Sequence, residues 1–236
     1  MNYLISLSIS DLRSTFRDPV FKVLLFFPFM SFTLIRWGLP AILNNFPVIQ
    51  PYSQVILMWA CLQSAIMFGF IYGFLFLEEK EENIWQVIRI LPVKPLNLVL
   101  SRMLFGLGIS SLVNFFLLHY GQIVSLTLVK EWLLAFQFSL AAPLIALLLG
   151  AFSQNRIEGL AQMKIINLLL ILPALIYFVP SPWMHLAAVI PTYWSYRSLE
   201  MAENTPQFLL YLSSGFALYM VAIFLLNRKM ATSIYR

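Results

Sequence analysis

Residues 52–77 read YSQVILMWACLQSAIMFGFIYGFLFL, a run that contains no Asp, Glu, Lys, Arg or His. A helix needs about 20 consecutive apolar residues to cross the hydrocarbon core of a membrane, and this run is longer than that. The run therefore predicts a transmembrane helix, and it makes a membrane protein the first hypothesis for the whole chain.

The composition of the whole chain agrees with this hypothesis. Of the 236 residues, 61% are hydrophobic and 11% are charged, and the mean hydropathy is +0.83. Soluble domains contain roughly 45–50% apolar and about 25% charged residues. These values exclude a soluble enzyme or a cytosolic regulator as the class of protein.

Outward from residues 52–77, the same criterion gives five further apolar segments. The predicted spans are 19–41, 52–77, 103–124, 133–152, 165–179 and 207–226. The fifth is short, and it crosses the membrane only if Lys164 snorkels to the interface or if the crossing continues irregularly around Pro180 and Pro182. The sequence thus predicts an all-α polytopic membrane protein with six transmembrane helices, in which residues 1–236 form a single transmembrane domain.

The positions of the basic residues predict the orientation of these spans. If the N-terminus is inside, that side carries all of the 15 Lys and Arg residues except Arg36, Lys130 and Arg197. The positive-inside rule then places both termini in the cytoplasm and the chain in the cytoplasmic (inner) membrane. It also accounts for the net charge of +5 without a nucleic-acid partner. Arg36, near the outer end of the first span, either snorkels or lines a transport path.

Two segments outside the spans are predicted to lie against membrane lipid. Residues 1–18 have apolar residues at helical spacing and polar residues on the other faces, which is typical of an interfacial elbow helix. Residues 180–206 are rich in the aromatic residues of an outer interfacial belt, and they predict an outer re-entrant segment or a pair of short interfacial helices before the sixth span. The residues concerned are Ile5, Ile9, Leu12 and Phe16 in the first segment and Trp183, Tyr193, Trp194 and Tyr196 in the second.

The segment EEKEENIWQVIRILPVKPLNLVLSR, residues 78–102, lies between the second and third spans. An apolar stripe at helical spacing stops at Pro92 and predicts a short amphipathic helix on the cytoplasmic side. An acidic run around Lys80 precedes the stripe. Its glutamates are either solvated or paired with a basic partner such as Arg13, Arg17 or another subunit. The stripe is Ile84, Val87, Ile88 and Leu91, and the acidic run is Glu78, Glu79, Glu81 and Glu82.

The chain carries no motif for catalysis. The patterns GxxxxGK[ST], HExxH and CxxC are all absent from the sequence. His119 and His185 lie in different apolar contexts, so packed or interfacial side chains are a better interpretation than metal ligands or proton relays. We therefore expect neither enzymatic activity nor a cofactor or metal in this chain.

Small, proline and polar residues within the spans indicate how the helices pack. Small residues repeat every four positions along the second span and form a face that another helix can approach closely, in the same chain or in a second subunit. Prolines are expected to kink the fourth and fifth spans. Intramembrane polar side chains either hydrogen-bond between helices or face a substrate cavity. These residues are Ala65, Gly69 and Gly73; Pro143 and Pro173; and Gln63, Asn114, Gln137 and Asn167.

The order of these elements resembles the membrane subunits of type-2 ABC exporters, whose fold is shared with the ABCG-like transporters. The resemblance is carried by the run EEKEEN with Pro92 after the stripe, by NRIEGLAQMK at 155–164 and by IPTYW at 190–194. That family usually has a glycine after the acidic run, where this chain has Asn83, and asparagine also tolerates left-handed and capping geometry.

The resemblance implies a role for each of the two cytoplasmic segments. Residues 83–91 would be the coupling helix that docks into a separate ATPase subunit. The loop 153–161, with Arg156 and Glu158, would make a second, smaller contact. ATP and Mg²⁺ would be bound by that ATPase subunit and not by this chain.

Two hypotheses for the function follow. In the first, the chain is a permease subunit that pairs with a second permease chain, identical or paralogous, and exports an amphipathic or apolar small molecule from the cytoplasm. In the second, it is a non-transport membrane anchor or assembly protein that recruits a cytosolic partner through the same helix. Stimulation of a purified ATPase by this chain would distinguish them.

Overall fold

The computed structural model of the chain describes residues 19–85, 95–179 and 181–235, and all regular secondary structure in these residues is helical. Six helical units are long and apolar enough to cross a membrane, which confirms the predicted all-α polytopic fold. We number them spans 1 to 6: Lys22–Asn45, Pro47–Glu81, Asn97–Gly121, Leu128–Phe152, Arg156–Tyr177 and Thr205–Ala231. The predicted elbow at 1–18 and residues 86–94 of the predicted coupling segment lie outside the described residues.

Several spans contain more than one helix. Span 1 joins α1 (Pro19–Thr33) through a π-helical turn at Leu34–Gly38 to α2 (Leu39–Asn45). A 3-10 helix at Pro47–Tyr52 leads into α3 (Ser53–Glu81) of span 2, and α4 (Pro95–Gly121) contains span 3. Span 4 consists of α5 (Leu128–Ser139) and α6 (Ala141–Phe152), and span 5 of α7 (Arg156–Ile171) and a 3-10 helix at Leu172–Tyr177. A 3-10 helix at Pro182–Val189 and α8 (Pro191–Glu200) precede α9 (Thr205–Tyr235), which contains span 6.

Span 2 lies at the centre of the bundle. Within the chain, 89% of its apolar window is buried, compared with 83% for span 4, 28% for spans 1 and 5, and 17% for span 6. A helix that is apolar on every side can be buried on every side. Span 2 accordingly packs against spans 1, 3, 4 and 5, whereas spans 1, 5 and 6 expose most of their surface.

Two glycines allow spans 2 and 4 to approach each other closely. A Cβ atom on Gly69 would lie 2.7 Å from the Ala142 carbonyl oxygen, and one on Gly73 would lie 3.0 Å from the Leu149 Cβ atom. Ala65, the third residue of this small face, is also buried. Gly69 and Gly73 thus face span 4 of the same chain, which was one of the two alternatives for this face.

Span 4 is interrupted near its middle, between α5 and α6. Pro143 has no N–H group, so the Ser139 carbonyl four residues earlier loses its helical donor. The Ser139 hydroxyl donates to the Ala135 carbonyl at 2.6 Å. Pro173 lies in the 3-10 helix that ends span 5. An α-helix thus begins just before Pro143, and one ends just before Pro173.

The predicted start of span 5 is wrong. The helix begins at Arg156 rather than at residue 165, so only residues 153–155 remain of the predicted loop 153–161. The Asn155 side chain accepts a hydrogen bond from the Glu158 N–H at 2.8 Å, and the Glu158 carboxylate accepts one from the Gln154 N–H at 2.7 Å. This reciprocal capping starts the helix in a polar stretch, and span 5 reaches its full length because it includes Lys164.

Other predicted boundaries are too short because helices continue beyond the apolar residues. Span 1 is helical to Asn45 instead of residue 41, and span 4 begins at Leu128 instead of residue 133. α3 continues to Glu81 instead of ending at residue 77, and α4 begins at Pro95 although span 3 was predicted from residue 103. Glu78, Glu79 and Glu81 therefore belong to the last turn of span 2 and not to a connecting segment.

The predicted re-entrant segment between spans 5 and 6 forms two short helices. On α8, Tyr196 packs edge-on against Phe138 of span 4, with ring centroids 6.1 Å apart, and the Ser195 hydroxyl lies 3.5 Å from the Tyr219 hydroxyl of span 6. Phe138 and Tyr219 both lie near the middle of their spans. α8 therefore packs inside the bundle, beside the middle of spans 4 and 6.

Replacing Gly69 by alanine is expected to lower the thermal stability, because the new Cβ would lie 2.7 Å from a backbone oxygen. Overpacking of this kind costs about 1–3 kcal/mol. Gly108 on span 3 is the matched control, since a Cβ there meets nothing within 4 Å. Size-exclusion chromatography of heated, detergent-solubilised protein measures both variants. Equal midpoints for Gly69→Ala and Gly108→Ala would contradict the close contact.

Candidate functional site

The charged residues that end span 2 meet the ends of three other spans in a cluster that we call the polar junction. It comprises Glu78, Glu79, Lys80, Glu81, Arg102 and Arg156. Successive residues of an α-helix point about 100° apart, so the last turn of α3 can reach neighbours on several sides. The junction directly precedes residues 86–94, which contain most of the predicted coupling stripe.

The first contact of the junction is a buried ion pair between spans 2 and 3. The Arg102 guanidinium donates to the Glu79 carboxylate at 2.7 Å, and the two side chains are only 2% and 11% exposed. The guanidinium also lies 5.7 Å from the centroid of the Phe76 ring. A buried charge is tolerated only when it is paired, and this contact pairs the charge of Glu79 with that of Arg102.

The second contact joins spans 2 and 5. The Arg156 guanidinium forms an ion pair with Glu78 at 2.5 Å, and the Arg156 backbone N–H donates to the Glu81 carboxylate at 2.7 Å. A carboxylate at a helix N-terminus is favourable because the first backbone N–H groups have no partner within the helix. Glu81 thus caps α7 from outside, next to the cap that Asn155 provides.

The third contact joins spans 2 and 4. The Lys80 ammonium donates to the carbonyl oxygens of Gly150 and Ser153, the latter at 3.0 Å. These carbonyls belong to the C-terminal end of α6, where a cation satisfies orphan acceptors and interacts favourably with the helix dipole. One turn of α3 therefore connects the ends of spans 3, 4 and 5.

These contacts answer the question left open for the acidic run. Three of its four glutamates have basic or backbone partners within the same chain, and Glu82 is exposed. Arg13 and Arg17, the partners considered from the sequence, lie outside the described residues. Sequence reasoning missed Arg102, although a lone arginine at the start of an apolar span requires a buried partner and could have indicated one.

The chain leaves span 2 through a turn whose geometry is fixed. Asn83 has a φ of 55°, the left-handed conformation that follows a helix C-terminus. Asparagine thus takes the capping role expected of it at a position where glycine is usual in the resembling family. Ile84 is half-buried, and Trp85 is buried against Phe76 with ring centroids 6.3 Å apart. Val87, Ile88, Leu91 and Pro92 lie outside the described residues.

Two of the four polar side chains noted within the spans form hydrogen bonds between helices. Asn114 of span 3 donates to the Ser139 hydroxyl of span 4 at 2.9 Å, and Gln137 of span 4 donates to the Leu212 carbonyl of span 6 at 3.4 Å. The side-chain oxygens of Gln63 and Asn167 have no hydrogen-bond partner in the described part of the chain. Interhelical bonding therefore accounts for Asn114 and Gln137.

At the opposite end of the bundle, where α3 begins at Ser53, both histidines are exposed rather than packed in the core, and each contacts a neighbouring polar side chain. His119 lies 2.9 Å from the Glu131 carboxylate and stacks on Phe115 with centroids 5.5 Å apart. His185 Nδ1 lies 2.8 Å from the Tyr193 hydroxyl.

A second cluster at this end fixes the re-entrant segment. The Glu200 carboxylate accepts from the Tyr177 hydroxyl at 3.0 Å and from the Arg197 guanidinium at 2.6 Å. The Lys130 ammonium donates to the Ala202 carbonyl at 2.6 Å, where the chain turns toward span 6. Arg36 is exposed, and its guanidinium lies 3.4 Å from the Tyr120 carbonyl. The three basic residues predicted on the outer side thus lie at one end of the bundle.

Comparison with known proteins identifies relatives over nearly the whole chain. Residues 11–227 match the family model described as "Fluoroquinolones export permease protein Rv2686c-like". The chain is similar to two Mycobacterium tuberculosis proteins, fluoroquinolones export permease protein Rv2686c of strain H37Rv and MT2760 of strain CDC 1551. Each is 26% identical over 223 residues, which are 91% of this chain and 88% of the relative. No solved structure matches the chain significantly.

Replacing Glu79 by glutamine is expected to lower the free energy of unfolding by about 1.5–3 kcal/mol, because the Arg102 guanidinium would lose a buried, charge-assisted hydrogen bond. Glu82→Gln removes the same charge from the same run at an exposed position and should have no effect. Adding Arg102→Met to Glu79→Gln should restore part of the loss. Thermal midpoints in detergent measure all three, and equal midpoints for the two glutamine variants would rule out the pair as a stabilising contact.

Proposed function

Because this chain belongs to the Rv2686c-like family of fluoroquinolone export permeases, we propose that it is the permease subunit of an ATP-driven exporter. It moves an amphipathic or apolar small molecule out of the cytoplasm, and a separate ABC ATPase subunit supplies the energy. The observation that carries this proposal is the family match over residues 11–227, since it includes spans 1 to 5, most of span 6 and the junction. ATP and Mg²⁺ belong to the ATPase subunit.

The geometry of the polar junction supports a coupling role. Glu78, Glu79 and Glu81 connect the end of span 2 to spans 5 and 3, and in the sequence they precede residues 86–94 by only a few positions. A force applied to that segment therefore acts on more than one span. Such a connection suits alternating access, in which ATP binding elsewhere favours one of two conformations of the bundle.

The junction also limits which of the predicted coupling residues can contact another subunit. Glu79 is buried and paired with Arg102, and Arg156 and Glu158 serve in the ion pair with Glu78 and in the cap of α7. Glu82 is exposed, and Ile84 is half-buried. We therefore assign the ATPase contact to Glu82 and to the stripe of Ile84, Val87, Ile88 and Leu91. The other charged residues of the predicted coupling site instead hold the end of span 2 against the neighbouring spans.

The orientation follows from the basic residues. The junction lies at the cytoplasmic end, both termini are cytoplasmic, and the Lys130 and Arg197 cluster lies outside. A second permease chain, identical or paralogous, completes the transport path. The relatives are named for fluoroquinolones, so a fluoroquinolone is the first cargo to test, although 26% identity does not transfer a substrate.

The double replacement Ile88→Asp with Leu91→Asp is expected to abolish co-purification of the ATPase and to reduce fluoroquinolone export to the level of cells without the permease. The two new carboxylates would be buried in the apolar interface with the ATPase without hydrogen-bond partners or counter-charges, which is unfavourable. Val48→Asp is the control, since Val48 is 84% exposed at the other end of the bundle. Co-purification is measured by affinity capture of the membrane complex, and export by efflux from loaded cells.

The outcomes separate the two hypotheses for the function. Loss of both binding and export in the double variant, with Val48→Asp unaffected, supports the exporter. Retention of both would refute the docking role of the stripe. Capture of an ATPase that neither is stimulated by the wild-type chain nor drives efflux of any amphipathic compound would favour the membrane anchor instead.

A further inference from the structure

Three buried polar atoms in the middle of spans 2 and 3 have no hydrogen-bond partner in the described part of the chain. They are the hydroxyl oxygens of Ser64 and Ser110 and the side-chain oxygen Oδ1 of Asn114. These residues are at most 1% exposed. The Ser139 hydroxyl, which binds the Asn114 nitrogen, donates its only proton elsewhere and cannot also serve Oδ1. An unpaired polar group is costly inside a membrane-spanning bundle, so these three atoms require a partner.

A contact near the outer ends of spans 2 and 3 shows which of their residues lie at the same level. A Cβ atom on Gly121 of span 3 would lie 3.6 Å from the Leu57 side chain of span 2. Ser64 follows Leu57 by seven residues and Asn114 precedes Gly121 by seven. Because the two spans run in opposite directions, both residues lie about 10 Å further into the bundle. Seven residues are close to two full turns, so Ser64 and Asn114 also lie on the facing sides of their helices.

A contact near the inner ends of the same spans gives the same alignment. A Cβ atom on Gly106 would lie 2.8 Å from the Tyr72 ring, and Ser64 and Asn114 are each eight residues from that contact. Ser110 precedes Asn114 by four residues, and residues four apart lie on the same face of a helix. The three unpaired oxygens are therefore grouped at one place between spans 2 and 3.

The two serines of this group differ from a neighbouring serine in how their hydroxyls are used. A serine within a helix commonly donates to the carbonyl of its own helix three or four residues earlier. Ser111 does so, since its hydroxyl lies 2.7 Å from the Leu107 carbonyl. Ser64 and Ser110 do not form this bond. Their hydroxyl protons are therefore available to a partner that lies between the helices.

We propose that one ordered water molecule binds between spans 2 and 3 and bridges Ser64, Ser110 and Asn114. It donates a hydrogen bond to Asn114 Oδ1, which can only accept, and it accepts one from each serine hydroxyl. Three hydrogen bonds are typical of a buried water, and such bridges are nearly as favourable as direct bonds. A cation would lack a counter-charge among these neutral side chains. Because Asn114 also binds Ser139, the water links spans 2, 3 and 4 in the middle of the bundle.

Replacing Ser64 or Ser110 by alanine distinguishes a bound water from a dry contact. Each replacement removes one of the three hydrogen bonds of the water, so the thermal midpoint of the detergent-solubilised protein should fall by about 2–4 °C. In a dry contact the same replacement removes an unpaired buried hydroxyl, and the midpoint should stay the same or rise. Ser111→Ala is the matched control, because its hydroxyl bonds only within span 3 and the change gives the same gain in helix propensity. The fall is measured relative to this control.

A density map that shows ordered waters tests the position of the water directly. Single-particle cryo-electron microscopy of the full chain in a lipid nanodisc, with an antibody fragment bound, should show one peak within hydrogen-bond distance of all three oxygens. The peak should be absent from the double variant Ser64→Ala with Ser110→Ala. Replacing Na⁺ by choline in the buffer should change neither the peak nor the thermal midpoint, since water and not a metal ion occupies the site.

Three results would overturn the proposal. A midpoint for Ser64→Ala at or above that of Ser111→Ala would mean that the contact is dry. A map in which the Ser64 hydroxyl bonds directly to Asn114, with no peak between them, would replace the water by a bond between the spans. A peak or a midpoint that depends on Na⁺ would identify the ligand as a cation.

Discussion

The structure depends on the pairing of charges at the end of a helix that is otherwise buried on all sides. Span 2 contacts spans 1, 3, 4 and 5, so charges in its last turn face protein as well as water. Taking a charge out of water is costly unless an opposite charge or backbone dipole replaces the lost hydration. Arg102, the carbonyls of Gly150 and Ser153, and the N-terminus of α7 supply those replacements. The contacts that stabilise this end of the bundle are therefore also the contacts that connect span 2 to spans 3, 4 and 5.

Close packing in the middle of the bundle makes this pairing possible. Gly69 and Gly73 bring α3 against α6 along its whole length, which places the end of α6 within reach of Lys80. The interruption before Pro143 separates α6 from α5, so α6 can follow span 2 while α5 packs against span 3. Asn114 and Ser139 hydrogen-bond between spans 3 and 4 beside this interruption, and the freed backbone thus lies within protein.

The sequence was sufficient for the fold class but not for the junction. Six apolar runs predicted the six spans, because a long apolar run is a local signal. Span 5 was predicted too short, since a window that counts apolar residues does not detect the cap formed by Asn155 and Glu158. The partners of Glu78 and Glu79 are Arg156 and Arg102, which are distant in sequence and meet only through the arrangement of the spans. Asn83 was the exception, because a left-handed cap depends on local backbone geometry alone.

The short helix α6 connects the polar junction with the middle of the bundle. Its C-terminal carbonyls accept from Lys80 of span 2, and the ring of its last residue, Phe152, has its centroid 3.4 Å from the Lys229 ammonium of span 6. At its other end, hydrogen bonds from the Leu140 N–H to the Phe136 carbonyl and from the Leu144 N–H to the Leu140 carbonyl join α6 to α5, so that only the donor missing at Pro143 interrupts the helical pattern. The twelve residues of α6 are therefore held by span 2 at the junction and by α5 in the middle of the bundle, and they carry the packing of spans 2 and 4 from one region to the other.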